Sequence, residues 1–332
     1  MKATKRIFSA LVAIAIGLSA NAAVLNPDLE SEKSKTYSKS YPVGSSDRIS
    51  LDNSFGEMKI STWSKNEIKV DVSITVKAST DEYAQKLIDV ISIEDGKTGS
   101  EIFFKTHLNH HKNKRDEDGE KREEKNTSFK INYTVYLPAT VTLDASNNFG
   151  PMSISDFDGA ATLTSKFGSL TAGKLSQPQK IRVEFGKATV ESMNGGKLDI
   201  RFSKAQVLHL SGDISADLEQ SGGVKLAADN SLKKLDLKVN FSKVFLDVEK
   251  NISASYTINS SFGSFRNDTE FSIPRQDKED QHFDQNKRYA GKSGSGATPI
   301  DIKNNFGTVT LGHDISFDVN DSSKEKNKKS RA

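Results

Sequence analysis

The sequence predicts a mainly β protein: a single-stranded, β-helix-like β-solenoid of about 20-residue coils, preceded by a small α+β capping module with one helix. Three observations lead to this fold class. A Phe-Gly pair recurs at nearly constant spacing, apolar residues alternate with polar ones on both sides of it, and the phase of that alternation switches across each pair. Together they indicate stacked repeats that each turn at the same place.

The repeat consists of an apolar-alternating arm, the Phe-Gly pair and a second such arm. Successive pairs are 18 residues apart from position 149 to 167 and from 167 to 185. Two weaker copies keep the Phe and place Ser after it, and Ser221-Gly222-Gly223 stands where one further Phe would be expected. The predicted repeat corners are Phe55, Gly56, Phe149, Gly150, Phe167, Gly168, Phe185, Gly186, Phe202, Phe241, Phe262, Gly263, Phe306 and Gly307.

The alternation assigns a role to the pair. Leu237 and Val239 lie at even offsets before Phe241, whereas Leu170 lies at an odd offset after Phe167. A regular strand cannot exchange its two faces in this way, but a corner or bulge can. Glycine suits such a corner because it tolerates unusual backbone dihedral angles. We therefore expect each coil to be a strand, a Phe-Gly corner, a second strand and a turn.

Stacked coils would align the Phe side chains in a ladder along the axis. An exposed row of aromatic residues could bind a glycan or a partner protein. Aromatic residues at fixed offsets in a solenoid are more typical of a core, so the ladder is expected to be buried. On that interpretation, Phe185→Ala should cost roughly 3–5 kcal/mol of stability.

The N-terminal residues 1–23 have the features of a cleaved signal peptide. Lys2, Lys5 and Arg6 precede an apolar run at 7–18, and a small-x-small pattern ends at Ala22. Without this segment the chain has 47 − 3 = 44 basic and 44 acidic residues, which removes the simplest argument for a nucleic-acid partner. No later stretch is apolar enough to span a membrane, and the absence of Cys excludes disulfides.

Five further segments are predicted. A flexible leader covers residues 24–45, an α+β entry module 46–140, the solenoid repeats 141–315, with a polar insertion at 275–298, and a disordered polar tail 316–332. In the entry module, a period-2 strand starts at Ile68, and Ser79 with Glu82 has the spacing of a capping box. The apolar helical face predicted after that box consists of Ala84, Leu87, Ile88 and Ile91.

Candidate chemical sites are weak. His107, His110 and His111 adjoin a mixed charge run and could bind metal, but they fall in a predicted loop without Cys. Asp156 and Asp158 do not recur at a repeat offset, so they predict no acidic pair. The Gly-rich stretch 291–296 lacks the spacing of a phosphate loop and is typical of a linker. No catalytic, cofactor-binding or metal-binding residue is predicted.

The six Phe-Gly units, the segment 61–66 followed by a long alternating strand, and the segment 133–138 leading into the repeats give the chain a resemblance to a known family. It resembles exported bacterial proteins of unknown function that are often described as adhesin-like. The resemblance covers about residues 46–315. It implies a β-solenoid in the cell envelope and no catalytic residues.

These observations favour a non-enzymatic, exported binding protein without a cofactor, located in the periplasm, on the outer surface or secreted. Its expected partner is an unknown envelope protein or a surface glycan. One alternative is a structural or envelope-stress-related component that binds another envelope protein, for instance through the insertion at 275–298. Another is a carbohydrate-active β-helix enzyme.

Overall fold

A computed structural model describes residues 31–109, 127–277 and 285–321. Within these residues the protein is mainly β, with one α-helix, and twenty strands join into one large mixed sheet. The mainly β class with a helix near the N-terminus is thus confirmed. No helix in the described ranges has the length and apolarity needed to cross a membrane.

The helix α1 covers Asp81–Asp89. The strands are β1 (Ser31–Pro42), β2 (Arg48–Ser54), β3 (Met58–Trp63), β4 (Glu67–Ala78), β5 (Ile91–Thr98), β6 (Glu101–Leu108), β7 (Ser128–Pro138), β8 (Thr142–Asn148), β9 (Pro151–Ile154), β10 (Phe157–Lys166), β11 (Ser169–Glu184), β12 (Lys187–Arg201), β13 (Lys204–Glu219), β14 (Gly223–Asn240), β15 (Lys243–Val248), β16 (Ala254–Ser261), β17 (Ser264–Asn267), β18 (Asn286–Lys292), β19 (Thr298–Asn305) and β20 (Thr308–Gly312).

Repeat units pair with one another in parallel, each residue opposite its equivalent in the next unit. After the corner, Leu170 of β11 lies opposite Ala188 of β12, which lies opposite Ala205 of β13. Before the corner, Ile181 lies opposite Leu198 in the same manner. Each long strand from β11 to β14 carries the end of one unit and the start of the next. The corners of successive units therefore lie directly above one another.

A single apolar cluster fills the interior from Ile49 to Leu311. It is built from the alternate residues of each strand, most of them Leu, Ile, Val and Ala, which are almost wholly buried. Such side chains pack closely between paired strands and leave the polar alternates outside. The core therefore runs through all the units, and it depends on every unit having the same alternation.

The order of the units in space differs from their order in the sequence. β19 pairs with both β14 and β16, and β20 pairs with both β15 and β17. The last unit, with its corner at Phe306, thus lies between the units of Phe241 and Phe262. The units at this end are therefore not stacked in the order of the sequence. The additional residues 268–297 give the chain the length to turn back.

β4 pairs antiparallel with both β1 and β7, and α1 packs against β1 and β4. The helix N-cap is Thr80, whose hydroxyl accepts a hydrogen bond from the backbone N–H of Tyr83, so the predicted capping box at Ser79 is wrong by one residue. Of the predicted apolar face, Ala84 and Ile88 are buried, whereas Ile91 already belongs to β5.

The predicted flexible leader is corrected for residues 31–42, which form β1. This strand pairs with β4 over its whole length. Tyr37 and Tyr41 pack on the core while the Lys and Ser residues between them point outward. A polar composition with period-2 alternation is suited to an edge strand, which explains why it looks like a leader in the sequence.

Two other segments that looked unstructured are ordered. Within the insertion, β18 pairs antiparallel with β16, and Ser293 in the Gly-rich stretch is buried and donates to the carbonyl of Ile252. In the predicted disordered tail, residues 316–321 pack on the protein, with Val319 buried. Residues 1–30, 110–126, 278–284 and 322–332, which include most of the charge run with His110 and His111, lie outside the described residues.

Candidate functional site

The corners have an unusual backbone geometry. All eight corner phenylalanines have positive φ angles, between 49° and 66°, and Gln220 has 46° at the equivalent position of the unit that lacks a Phe. The glycines that follow the phenylalanines are outside this left-handed region. The prediction that glycine supplies the unusual dihedral is therefore wrong, because the aromatic residue itself adopts it.

Close backbone contact explains the glycines instead. A Cβ added to Gly150 would lie 2.0 Å from the carbonyl oxygen of Gly56, and one added to Gly168 would lie 2.0 Å from that of Gly150. At Gly186 the corresponding distance to Gly168 O is 2.1 Å. The corners are stacked so tightly that a side chain has no space between them.

Three consecutive units have Ser instead of Gly directly after the corner residue, and the Ser hydroxyls form hydrogen bonds with neighbouring corners. Ser203 accepts a hydrogen bond at Oγ from the N–H of Gly186 at 3.0 Å, and Ser242 accepts one from the N–H of Ser221 at 2.9 Å. Each hydroxyl also donates to the carbonyl two residues earlier, as Ser203 does to Arg201. The serines therefore replace close backbone contact by a column of buried hydrogen bonds.

Buried asparagines stabilise the outer corners. Asn147 donates from Nδ2 to the carbonyls of Gly56, Gly150 and Pro151 at 3.0, 3.0 and 3.1 Å, and its Oδ1 accepts from Asn53. At the other end, Asn304 contacts two corner carbonyls in the same way. These amides satisfy carbonyls that the sharp turn removes from the regular ladder.

The corner phenylalanines form what we call the phenylalanine strip. Neighbouring rings are nearly parallel, with centroids 4.7 to 5.2 Å apart. Except for Phe55, which Phe129 partly covers, these side chains are 45 to 59 % exposed. The expectation of a buried ladder is therefore wrong: the ring faces cover one another and the ring edges meet solvent. Loss of Phe185 removes two stacked pairs, a cost of about 1–3 kcal/mol and not the larger value for a buried ring.

Gln220 interrupts the phenylalanine strip, with five rings on one side of it and three on the other. Its backbone N–H donates to the carbonyl of Asn240 at 2.9 Å, as the N–H of Phe202 donates to the carbonyl of Glu219. Its side chain is exposed. The spacing of 18 residues from Phe202 indicates a corner at Gln220, so the prediction that Ser221-Gly222-Gly223 replaces the missing Phe is wrong by one residue.

A charge network lies along one side of the strip. Arg201 donates from Nε to Asp199 at 2.8 Å and contacts Glu219 at 2.9 Å through Nη1. Lys166 lies 3.3 Å from Glu184, which also pairs with Arg182. Asp199 is only 2 % exposed, so this network is partly withdrawn from solvent.

The same network predicts loss of stability in acid. Burial acts to raise the pKa of Asp199, but the hydrogen bond from Arg201 and the nearby positive charges outweigh it and lower the pKa below its usual value. A carboxylate with a depressed folded-state pKa stabilises the fold above its unfolded pKa and loses that contribution as the pH falls through the folded value. We therefore expect the free energy of unfolding, measured with urea, to fall less for the Asp199→Asn variant than for wild type between about pH 6 and about pH 3.

Asp236→Asn is the control for that experiment, because Asp236 is an exposed carboxylate paired with Lys234 on the surface. It should follow the wild-type pH dependence. Equal acid sensitivity of wild type and Asp199→Asn would contradict the prediction.

A shallow cleft of about 350 Å³ opens at the Phe55 end of the strip. Its walls include Phe55, Phe129 and Phe149, with Lys130 at its margin. It extends the exposed aromatic surface sideways onto β7. The strip and this cleft are the principal apolar features on the surface of the described residues.

Within the part of the chain that the structure describes, the other candidate residues do not assemble into a site. His107 pairs with Glu94, and no group of three or more potential metal ligands occurs in the residues that the structure describes. Asp156 accepts from the backbone of Lys174, and Asp158 accepts from the hydroxyl of Ser176, both in the next unit. These two aspartates therefore stabilise turns between units.

Comparison with known proteins gives only distant likenesses. No protein-family profile and no curated protein matches the chain. Among solved structures, a protein of Clostridium sporogenes provisionally described as a cell adhesion protein is 12% identical, with a TM-score of 0.26, and the match covers 85% of this chain and 100% of that one. A protein of Bacteroides fragilis provisionally described as an adhesin is 13% identical, with a TM-score of 0.28, and the match covers 83% of this chain and 97% of that one.

A protein of Parabacteroides distasonis, provisionally described as lipid binding, is 10% identical with a TM-score of 0.23, covering 83% of this chain and 96% of its own. These TM-scores are too low for the likenesses to bear on function.

Proposed function

We propose that the protein is a non-enzymatic, adhesin-like β-solenoid of the bacterial cell envelope, and that it binds a partner protein through the phenylalanine strip. The observation that carries this proposal is the exposure of a row of stacked aromatic edges, interrupted at Gln220, at strained corner positions. Unit-on-unit parallel pairing supports the solenoid, and the N-terminal signal features support export.

The energetics of the corner support a binding role. A residue other than Gly in the left-handed region costs about 1–2 kcal/mol. Each ring stack contributes about 0.5–1.5 kcal/mol, so stacking does little more than offset that cost. Asn would adopt the same φ with less strain and would not expose an apolar edge. The repeated choice of Phe is therefore not explained by folding alone.

The extent of the exposed apolar surface of the strip also supports a binding role. Soluble proteins seldom expose a contiguous apolar patch larger than a few hundred Å² unless it contacts something. Here the rings of Phe149, Phe167, Phe185 and Phe202 follow one another without interruption, each about half exposed. The flanking charges are mostly paired within the chain, so the aromatic edges are the unsatisfied part of this surface.

The orientation of the rings favours a protein over a glycan. Sugars pack on the flat faces of aromatic rings, whereas these faces are covered by the neighbouring rings. Ring edges carry partial positive charge and suit apolar side chains, aromatic faces and carbonyl oxygens. A protein surface that offers such groups in a row therefore fits the strip better than a carbohydrate chain.

The test compares envelope proteins retained by the immobilised full-length protein and by a Phe167→Asn, Phe185→Asn double variant. Asn keeps the left-handed corner while removing the aromatic edges. We expect a discrete set of envelope proteins on the wild type and its loss on the double variant, with thermal melts showing that the variant is folded.

Leu208→Asn is the matched control, because Leu208 is also 48 % exposed but lies outside the strip. It should retain the wild-type set. Retention of the same proteins by the folded double variant would refute binding through the strip, and binding to a glycan array instead would replace the protein partner by a carbohydrate.

A further inference from the structure

A second surface, independent of the phenylalanine strip proposal, lies under residues 313–321, which we call the C-terminal arm. The arm leaves β20 through Asp314, which has a φ of 51°. It then passes over β15 and β14 towards β13 and β12 without forming a strand. Ile315 and Phe317 are half-buried and Val319 is buried, while the residues between them are exposed.

The ring of Phe317 has a seat built for it. It packs on Phe245 with centroids 5.7 Å apart and lies above Gly223, where an added Cβ would be 3.0 Å from Cε2 of the ring. Gly223 lies opposite Lys204 in the neighbouring strand, and Lys243 occupies the equivalent position in the next unit. A glycine thus interrupts a row of lysines and leaves space the width of one ring.

Three lysines hold the arm on either side of that seat. Lys225 donates to the backbone carbonyl of Ile315 at 2.7 Å, and Lys204 donates to the carbonyl of Asp321 at 2.8 Å. Lys187 contacts the side chain of Asn320 at 3.4 Å. Because two of these contacts are made to backbone carbonyls, they would be available to any extended peptide that enters the groove.

Asp247 completes the groove by accepting from the backbone N–H of Ile315 at 3.2 Å. The floor therefore offers a donor and an acceptor for peptide backbone at one end, an aromatic seat in the middle and lysines beyond it. The lysines complement the carboxylates of Asp314, Asp318 and Asp321 on the arm. The arm shows directly which kind of segment this surface accepts.

We propose that this groove is a docking site for an extended segment of a partner protein. The segment has an aromatic residue between two aliphatic ones, with carboxylates among the intervening positions. The arm is its occupant within the chain, and a partner segment of the same chemistry displaces it. The arm is replaceable because side-chain packing and a few hydrogen bonds hold it, and no strand ladder does.

The test uses the full-length chain with Phe317→Ser, which removes the ring that anchors the arm and opens the seat. The probe is a fluorescent peptide with the sequence of residues 313–321. In fluorescence anisotropy, we expect it to bind this variant at least about tenfold more tightly than wild type, where the tethered arm competes at a high effective concentration. A peptide with Ser in place of its Phe should bind neither protein.

Gly223→Val in the Phe317→Ser background fills the seat and should abolish probe binding. Gly222→Ala in the same background is the matched control, because a Cβ there meets only the flexible end of Lys204, at 3.7 Å. Lys204→Glu in the same background is a second substitution against binding, and it leaves the space for the ring intact. It should weaken probe binding several-fold and reduce the dependence of that binding on salt concentration.

A random peptide library selected on the Phe317→Ser chain should enrich an aromatic residue flanked by aliphatic and acidic positions. Failure of the probe to bind that variant, indifference of binding to Gly223→Val, or enrichment of an unrelated pattern would each overturn the proposal. None of these outcomes depends on whether the phenylalanine strip binds a partner.

Discussion

Replacing Gly168 by alanine is expected to be among the most destabilising single substitutions in this protein. The new Cβ would lie 2.0 Å from the carbonyl oxygen of Gly150 and 2.8 Å from its carbon. Both atoms belong to a backbone fixed by its own neighbours, so the strain cannot be relieved by moving a side chain. We expect a loss of about 4 kcal/mol or more in urea unfolding, which is a large part of the stability of an ordinary domain.

Gly222→Ala serves as the control, because a Cβ at that position is surrounded by open space apart from the end of Lys204. Its stability should remain within about 0.5 kcal/mol of wild type. If Gly168→Ala unfolded at the same urea concentration as this control, the corners would not be in backbone contact.

Replacing Asn147 by alanine should have the second-largest effect. The change removes three donated hydrogen bonds, to Gly56, Gly150 and Pro151, and deprives Asn53 of its acceptor. A buried polar group left without a partner costs about 1–3 kcal/mol, and several are affected together. We expect a loss of about 3 kcal/mol or more, measured by urea unfolding.

Asn148→Ala is the matched control one residue along. The side chain of Asn148 is half-exposed, and its backbone carbonyl, which accepts from Phe55, is retained in the variant. A small effect is therefore expected. A similar loss in both variants would show that the buried amide network does not stabilise the corners.

The alternation of apolar residues was sufficient to predict the strands beside the repeat corners and the existence of a corner, but it did not predict β1 or β18. It could not predict the environment of the corner residue. Val183 and Leu170 are assigned to the interior by their neighbours on each side, whereas Phe167 and Phe185 lie where one phase ends and the other begins. Their exposure depends on the sign of φ, which the alternation of apolar and polar residues does not predict.

The role of the glycines was ambiguous for a related reason. A glycine in a repeat can indicate either a left-handed conformation or a close approach, and the sequence is the same in both cases. At Gly168 only the position of Gly150 in the preceding unit distinguishes a close approach from a left-handed conformation. The serines show the same difficulty, since Ser203 is compatible with the corner only through the hydrogen bond that a neighbouring unit supplies.

The candidate surfaces were predictable to different degrees. Phe-Gly repetition identified the members of the phenylalanine strip, although not their exposure. The groove under the C-terminal arm combines Lys187, Lys204, Gly223 and Phe245 with residues about 70 to 130 positions later in the chain. No local pattern indicates that combination, because the contacts follow from how far the last unit turns back.

The displaced position of the last unit also determines when the protein can finish folding. Parallel units can assemble from the N-terminus as the chain is synthesised, up to β14 and β15. The edge formed by β14 and β15 stays open until β19 and β20, the last two strands within the described residues, have been synthesised. β16 and β17 complete the stack only after those strands are inserted. A ribosome-bound chain ending before residue 298 would therefore carry an open edge, vulnerable to protease and to pairing with another chain.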